Sequence, residues 1–232
     1  MARVAVILMV LFFVLLVAHP ANADQLSAQE IFEGMIYYEN DQLDKDPGAS
    51  DFHCKVTQTL QRTGSRTVEV MEKDYYFMVP IFQLHLLDDE PIFYYDSDLL
   101  VVTLESSELQ RMRDEELNGV DCYVIRSTPV DLVYARFSTI YYVAKDDYRH
   151  VRTVKHGSSS EADDITTVLD YAYQAVGPYT FLEQTIAQTS DAEGNPLHTV
   201  TAVYSDYEFD VGLDLAFFAD YLDKYRPNPI WN

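Results

Sequence analysis

Short runs of β-branched and aromatic residues, cut at short intervals by Gly, Asn, Asp or Pro, dominate this chain and most narrow the folds open to it. Lys55 to Gln61 reads as extended, with Val56, Gln58 and Leu60 on one face and Thr57 and Thr59 on the other. Thr63-Gly64-Ser65 reads as a turn. Thr67 to Glu72, Tyr75 to Phe82, Phe93 to Tyr95 and Leu99 to Leu104 follow as strands. Asn118-Gly119 marks a turn into Cys122 to Ser127. Thr139 to Ala144, Val151 to His156, Thr166 to Ala175, Tyr179 to Gln188 and His198 to Tyr207 complete the series. Such spacing predicts an antiparallel sheet or barrel.

Helical period shows clearly once. Ser27-Ala28-Gln29-Glu30 has the form of a capping box, and Ile31, Phe32, Met35 and Tyr38 recur behind it at helical spacing. The polar segment Asn40 to Ser50 is expected to end that helix in a turn, and the polar stretch Ser106 to Leu117 to form a second, short helix. One helix beside many strands implies that it covers a sheet face or plugs one end. Gly157 to Asp164 reads as a flexible loop and Asp191 to Pro196 as a hairpin turn rather than a calcium loop, since it lacks the EF-hand spacing.

The first residues carry a different message. Arg3 precedes fifteen uninterrupted apolar residues, and Ala21-Asn22-Ala23 then offers an A-x-A cleavage site. Residues 1–23 are therefore expected to be a cleaved signal peptide, and 24–232 a single exported domain. Fifteen apolar residues are too few for a helix to cross a hydrocarbon core about 30 Å thick. Asp and Glu number 38 against 16 Lys and Arg, a formal net charge of −22. That surface repels nucleic acid and anionic membranes and favours a monomer. The two cysteines, Cys54 and Cys122, leave two readings open: a disulfide, or two buried free thiols.

A search for chemistry finds no nucleophile elbow, no zinc-protease motif, no phosphate loop and no dinucleotide fingerprint. His53 and Cys54 are neighbours, so in a strand they point to opposite faces and cannot act together. His150 and His156 read as a solvated strand end beside Arg152 and Lys155. No metal or cofactor is expected, and the chain does not read as an enzyme. Its compositional signature is aromatic instead, with 18 Tyr and 12 Phe. Tyr171 and Tyr173, two apart, share one sheet face. Two readings stay open for such rings: they shield the sheet, or they form a cavity wall for a long apolar ligand.

Three stretches carry a family resemblance. They are Asn118-Gly119-Val120-Asp121-Cys122-Tyr123-Val124-Ile125 with Thr128-Pro129; Ile140 to Tyr148, ending Lys145-Asp146-Asp147-Tyr148; and Tyr204 to Leu213 with Phe217-Phe218 after it. Together with the Ala28-Gln29-Glu30-Ile31 helix start, the chain resembles the outer-membrane lipoprotein-sorting protein family, the LolA, LolB and RseB-like superfamily.

The resemblance implies an α+β, mainly β fold: an incomplete antiparallel β-barrel, a curved sheet with helices covering its concave face. It also implies a periplasmic carrier that holds lipid or lipoprotein acyl chains in the apolar space between. Wall residues are then expected at Phe77, Val79, Ile140, Tyr142, Leu169, Tyr171 and Tyr173, with Ile31 and Met35 from the helix. The implied partners are lipid or an acylated lipoprotein, and possible docking to an inner-membrane transporter. The alternative is an RseB-like accessory or regulatory subunit that docks a membrane transporter or sensor.

Overall fold

The computed structural model describes residues 26–45, 48–79, 82–87, 90–95, 106–130, 138–157 and 164–219. Within them one antiparallel sheet contains twelve strands. In chain order these are β1 (Asp51–Arg62), β2 (Val68–Met78), β3 (Phe82–Leu87), β4 (Glu90–Tyr95), β5 (Ser107–Arg111) and β6 (Glu115–Leu117). β7 (Val120–Pro129), β8 (Ser138–Ala144), β9 (His150–Gly157), β10 (Ile165–Val176), β11 (Tyr179–Ser190) and β12 (Pro196–Phe209) follow. The spatial order is β4-β3-β2-β1-β12-β11-β10-β9-β8-β7-β5, with β6 also on β7. The sheet curves but does not close. Consecutive strands pair as hairpins almost throughout. Among the described strand pairings, the β1–β12 ladder joins the first part of the chain to the last.

Local sequence explains most of this. Asn118 and Gly119 both take positive φ (54° and 82°), the type I′ turn that matches strand twist, and Leu117 pairs with Val120 across it. Bulges at Ala172/Tyr173 and Tyr142/Val143 add local twist and bend to the sheet. Asp191 accepts from the Asn195 backbone N–H (2.7 Å) and side-chain amide (3.0 Å), so its oxygens close the turn at 191–195.

Helix α1 (Ala28–Ile36) begins with the expected capping box. The Ser27 N–H donates to the Glu30 carboxylate at 2.7 Å, and the Glu30 N–H donates to Ser27 Oγ at 3.2 Å. Before it reaches the expected polar turn, which starts at Asp44, the chain does not stay in one helix. It breaks at Tyr37 and continues as α2 (Tyr38–Leu43), which turns Tyr38, Gln42 and Leu43 inward. Three residues interlock α1 with the sheet. Gly34 lies where an added Cβ would fall 2.7 Å from the Tyr148 ring. Tyr148, at the end of the Lys145-Asp146-Asp147 turn, holds φ at 63°, a strained value for an aromatic residue. Phe32 meets Tyr141 edge-on at 5.2 Å.

Two other expectations change. Ser106 to Leu117 is not helical; it supplies β5 and β6. Glu108 and Gln110 are exposed while Leu109 and Arg111 are half-buried, a two-residue alternation that polarity hides. Leu109 packs beside Ile31, and the Arg111 guanidinium lies 5.0 Å over the Tyr123 ring. Thr67 to Glu72 and Tyr75 to Phe82 are not separate strands; β2 runs through both as far as Met78. The expected signal peptide, the strand at 99–104, and the loop residues 158–163 lie outside the described residues.

The interior has three parts. On the helix-covered face, Phe52 stands at the centre of a ring cluster with Tyr75, Phe77, Phe181, Tyr207 and Phe209, at centroid distances of 4.7–6.2 Å. A second cluster joins α1 (Ile31 and Phe32) to Ile125 and Val143. The third lies on the reverse face of β2 and β3, where Phe218 covers Met78, Leu84 and Leu86. Buried Asp51 holds the segment leading there, accepting from the Val211 N–H (2.7 Å) and the Leu213 N–H (3.2 Å). Among the described residues no helix is long and apolar enough to cross a membrane.

Candidate functional site

Where α1 passes into α2, the helices stand off the sheet and leave a cavity of about 430 Å³. Met35, Ile36, Tyr38 and Glu39 form the helix side. Tyr141 of β8, His150 of β9, and Tyr171 and Tyr173 of β10 form the sheet side, with Gln83 and Leu182 completing the wall. A neighbouring cavity of about 520 Å³, reaching Asn118 and Arg149, shares His150, Tyr171 and Tyr173. Both volumes fall in the range of about 300–1,000 Å³ typical of small-molecule sites.

The rings are held in place by their polar tips. Tyr38 donates its hydroxyl to the Thr180 carbonyl at 3.1 Å, and its ring meets Tyr173 edge-on at 5.5 Å. The Tyr173 hydroxyl accepts from the His150 backbone N–H at 3.2 Å. The Tyr171 hydroxyl lies 3.3 Å from Thr153 Oγ1, which also meets His150 Nε2 at 2.7 Å. The His150 imidazole stacks on Tyr171 with centroids 4.1 Å apart. α2 itself is fastened by Gln42, whose side-chain oxygen accepts from the Thr180 N–H at 3.0 Å.

Two ionisable groups in this wall are strongly displaced. Burial pushes the Glu39 carboxyl up from 4.5 to about 7. Burial pushes His150 down from 6.5 to about 3, helped by the Lys155 charge, so its ring is neutral at physiological pH. The Tyr38, Tyr171 and Tyr173 hydroxyls are all raised, first by burial and then by nearby charges including Glu39, and stay protonated. The cavity is thus apolar and aromatic, with one carboxyl that titrates near neutrality.

The expected wall residues distribute unevenly. Met35, Tyr171 and Tyr173 line the cavity. Ile31 is fully buried just beside it, under α1. Leu169 pairs with Thr153 and Ala187, and so shares the Tyr171 face without reaching the cavity. Ile140 and Tyr142 alternate with Tyr141, so they point to the opposite face, where Tyr142 pairs with Val124 and Arg152. Phe77 is filled core against Phe52. Val79, in the turn after β2, is 38% exposed. Tyr38, Glu39, Tyr141 and His150 were not anticipated. Tyr141 needed only the other alternation of β8, whereas nothing in the sequence marks Glu39 or His150 as inward.

The cysteines stay apart. Cys54 and Cys122 are both buried and free. Cys54 shares the helix-covered face with Phe52, on β1. Cys122 alternates with Tyr123 on β7, six strand positions away and on the reverse face. The disulfide reading therefore gives way to free thiols, and burial pushes Cys54 up to about 12. His53 and Cys54 do face opposite ways: His53 contacts Asp74 at 2.7 Å and stacks on Tyr76. No group of three His, Cys, Asp or Glu side chains able to hold a metal gathers among the described residues.

No family model matches the sequence, and no curated protein does either. The fold does have solved counterparts. A DUF1329 family protein from Desulfovibrio piger superposes with a TM-score of 0.54 at 14% identity, covering 81% of this chain and 96% of that one. A LolA superfamily protein from Nitrosomonas europaea gives 0.51 at 12% identity, covering 85% and 100%. An outer membrane lipoprotein-sorting protein domain from Vibrio parahaemolyticus gives 0.51 at 13% identity, covering 82% and 98%. The chain has the LolA-type fold: an open curved antiparallel sheet with helices against its concave face.

Proposed function

We propose that this chain is an exported, periplasmic, non-enzymatic carrier that shelters the acyl chains of a lipid or lipoprotein beneath α1 and α2. In this reading residues 1–23 are the cleaved signal peptide and 24–232 the single working domain. The carrying observation is the cavity itself. Its walls include Met35, Ile36, Leu182 and the rings of Tyr38, Tyr171 and Tyr173, whose polar tips are already hydrogen-bonded to protein, so the space offers mainly apolar surface. Each methylene moved from water into such a space is worth about 0.8 kcal/mol. Loading and release then need only α1 and α2 to shift, with no bond made or broken. The fold shared with a lipoprotein-sorting domain supports the same reading.

Native mass spectrometry, with lipid extraction, on protein purified from the periplasm without detergent tests it. Co-purifying lipid or acylated peptide is the expected result and would name the cargo. Protein that is free of lipid and also refuses fluorescent acyl probes on titration would end the carrier reading.

A further inference from the structure

Resting on that acyl-carrier reading, we infer that Glu39 sets its headgroup preference, favouring amphiphiles whose polar end is a cationic nitrogen over those ending in a carboxylate or phosphate.

Among the described residues lining the α1–α2 cavity there is no Lys or Arg, so nothing there would neutralise an anionic head. Arg149, which lines the adjoining cavity, is already engaged by Asp147 (2.7 Å) and Asp146 (3.4 Å). The wall hydroxyls and the imidazole are committed as well: Tyr38 to Thr180, Tyr173 to His150, Tyr141 to Thr139, and Tyr171 and the His150 ring to Thr153. Glu39 differs from all of them. Its carboxyl has no side-chain hydrogen-bond or ion-pair partner among the described residues and contacts only its own backbone N–H.

The surroundings make that carboxyl the natural seat for a positive charge. The Glu39 charge helps raise the phenols of Tyr38, Tyr75, Tyr171, Tyr173, Tyr204 and Tyr207, which places it within electrostatic reach of a ring of tyrosines from four elements. A cation entering such a site meets the carboxylate within an aromatic wall. A carboxylate or phosphate there would meet a like charge in a poorly solvated space.

The groups facing Glu39 also isolate its titration. Every tyrosine named above is displaced upward, as is Tyr141 of β8, and stays neutral. His150 of β9 stays neutral down to about 3, and Cys54 of β1 stays protonated up to about 12. Gln83 of β3 and Thr180 of β11 do not titrate. Between pH 6 and pH 8 Glu39 is the cavity group that changes charge.

The test uses full mature protein, a neutral fluorescent acyl probe, and competition by dodecylamine, dodecanol and dodecanoate in physiological salt at pH 8. Dodecylamine is expected to compete about tenfold more strongly than dodecanoate. Glu39→Gln, checked for an unchanged circular dichroism spectrum, should bring the two within about twofold while leaving dodecanol unaffected. If Glu39→Gln does not fold, the wild-type pH series decides: dodecylamine should weaken severalfold from pH 8 to pH 6, with dodecanol flat. Probe binding with equal amine and carboxylate competition, or an amine preference that survives Glu39→Gln, overturns the role of Glu39 and leaves the carrier reading standing. Failure of every acyl probe to bind removes both.

Discussion

The two halves of the helix-covered face are built from the same kinds of residue and do opposite things. Around Phe52, rings from β1, β2, β11 and β12 touch one another and fill the space between the layers. Around Tyr171, rings from α2, β8, β9 and β10 stand back and enclose a void. The difference lies in what each ring's edge is attached to. Phe52, Phe77 and Phe181 have no polar atom and settle wherever contact is greatest. Tyr38, Tyr171 and Tyr173 carry a hydroxyl that must be satisfied, and each is drawn to a fixed protein partner at the rim. Hydrogen bonds hold these three rings back as walls, whereas the filled half is centred on phenylalanines, with the hydrogen-bonded Tyr207 packed against them. A second lesson is electrostatic: the void also tolerates an unpaired carboxyl, Glu39, which the filled half could not.

The comparison can be broken most severely from the filled side. Phe52→Ala should cost about 3–5 kcal/mol, the usual price of emptying a buried aromatic site. Urea unfolding would read this directly, and a loss below 1 kcal/mol would mean that the ring cluster is not the stability centre.

On the hollow side the large effect is a pH dependence with a definite sign. Glu39 titrates near 7 in the folded chain against 4.5 unfolded, so the folded state holds the proton more tightly. Its contribution is therefore lost as pH rises from 4.5 to about 7, and is constant beyond. At about 1.4 kcal/mol per pH unit this reaches at most about 3 kcal/mol. His150 runs the other way: its folded value of about 3 lies below 6.5, so stability is lost as pH falls between them. The two offset each other between pH 4.5 and 6.5. Glu39→Gln should stabilise the protein at pH 8 and uncover the His150 slope at lower pH. A Glu39→Gln stability curve parallel to wild type from pH 4 to 8 would refute this.

Smaller changes sharpen the contrast. Gly34→Ala drives a Cβ into the Tyr148 ring and should cost about 1–3 kcal/mol by overpacking, loosening α1 from the sheet. Hydrogen exchange confined to α1 would locate the loss there. Tyr171→Phe removes one hydroxyl partner and should cost about 1 kcal/mol, while Tyr171→Asp should abolish acyl-probe binding. Tyr142→Asp, on the reverse face, should leave probe binding intact. If both Asp variants bind alike, the assignment of faces in β8 and β10 is wrong. Finally, denatured and unreduced protein should titrate two thiols, Cys54 and Cys122.

Much of the fold could be read along the chain because its signals are local. The capping box at Ser27 and Glu30 needs four residues, the Asn118-Gly119 turn needs two, and each fixes its own backbone geometry. Period-two alternation located nearly every strand edge from Cys122 onward to within a few residues. It failed at Ser107–Arg111, where the inward residues are Leu109 and the stem of Arg111, too little apolar surface to stand out from a polar background.

What the sequence determined by itself is therefore the first helix, most strands from Cys122 onward, the net negative charge and the aromatic supply. Which side of each strand faces inward was decided only by the tertiary structure. Alternation is symmetric between the two faces, and choosing one requires knowing the partner strand and each bulge. That choice exchanged Tyr142 for Tyr141, turned Cys122 away from Cys54, and brought His150 onto Tyr171. Glu39 shows the same limit in its strongest form. A carboxyl near a helix end is ordinary in sequence, and only the walls assembled around it, mostly from strands more than one hundred residues away, exclude enough water to raise its pKa.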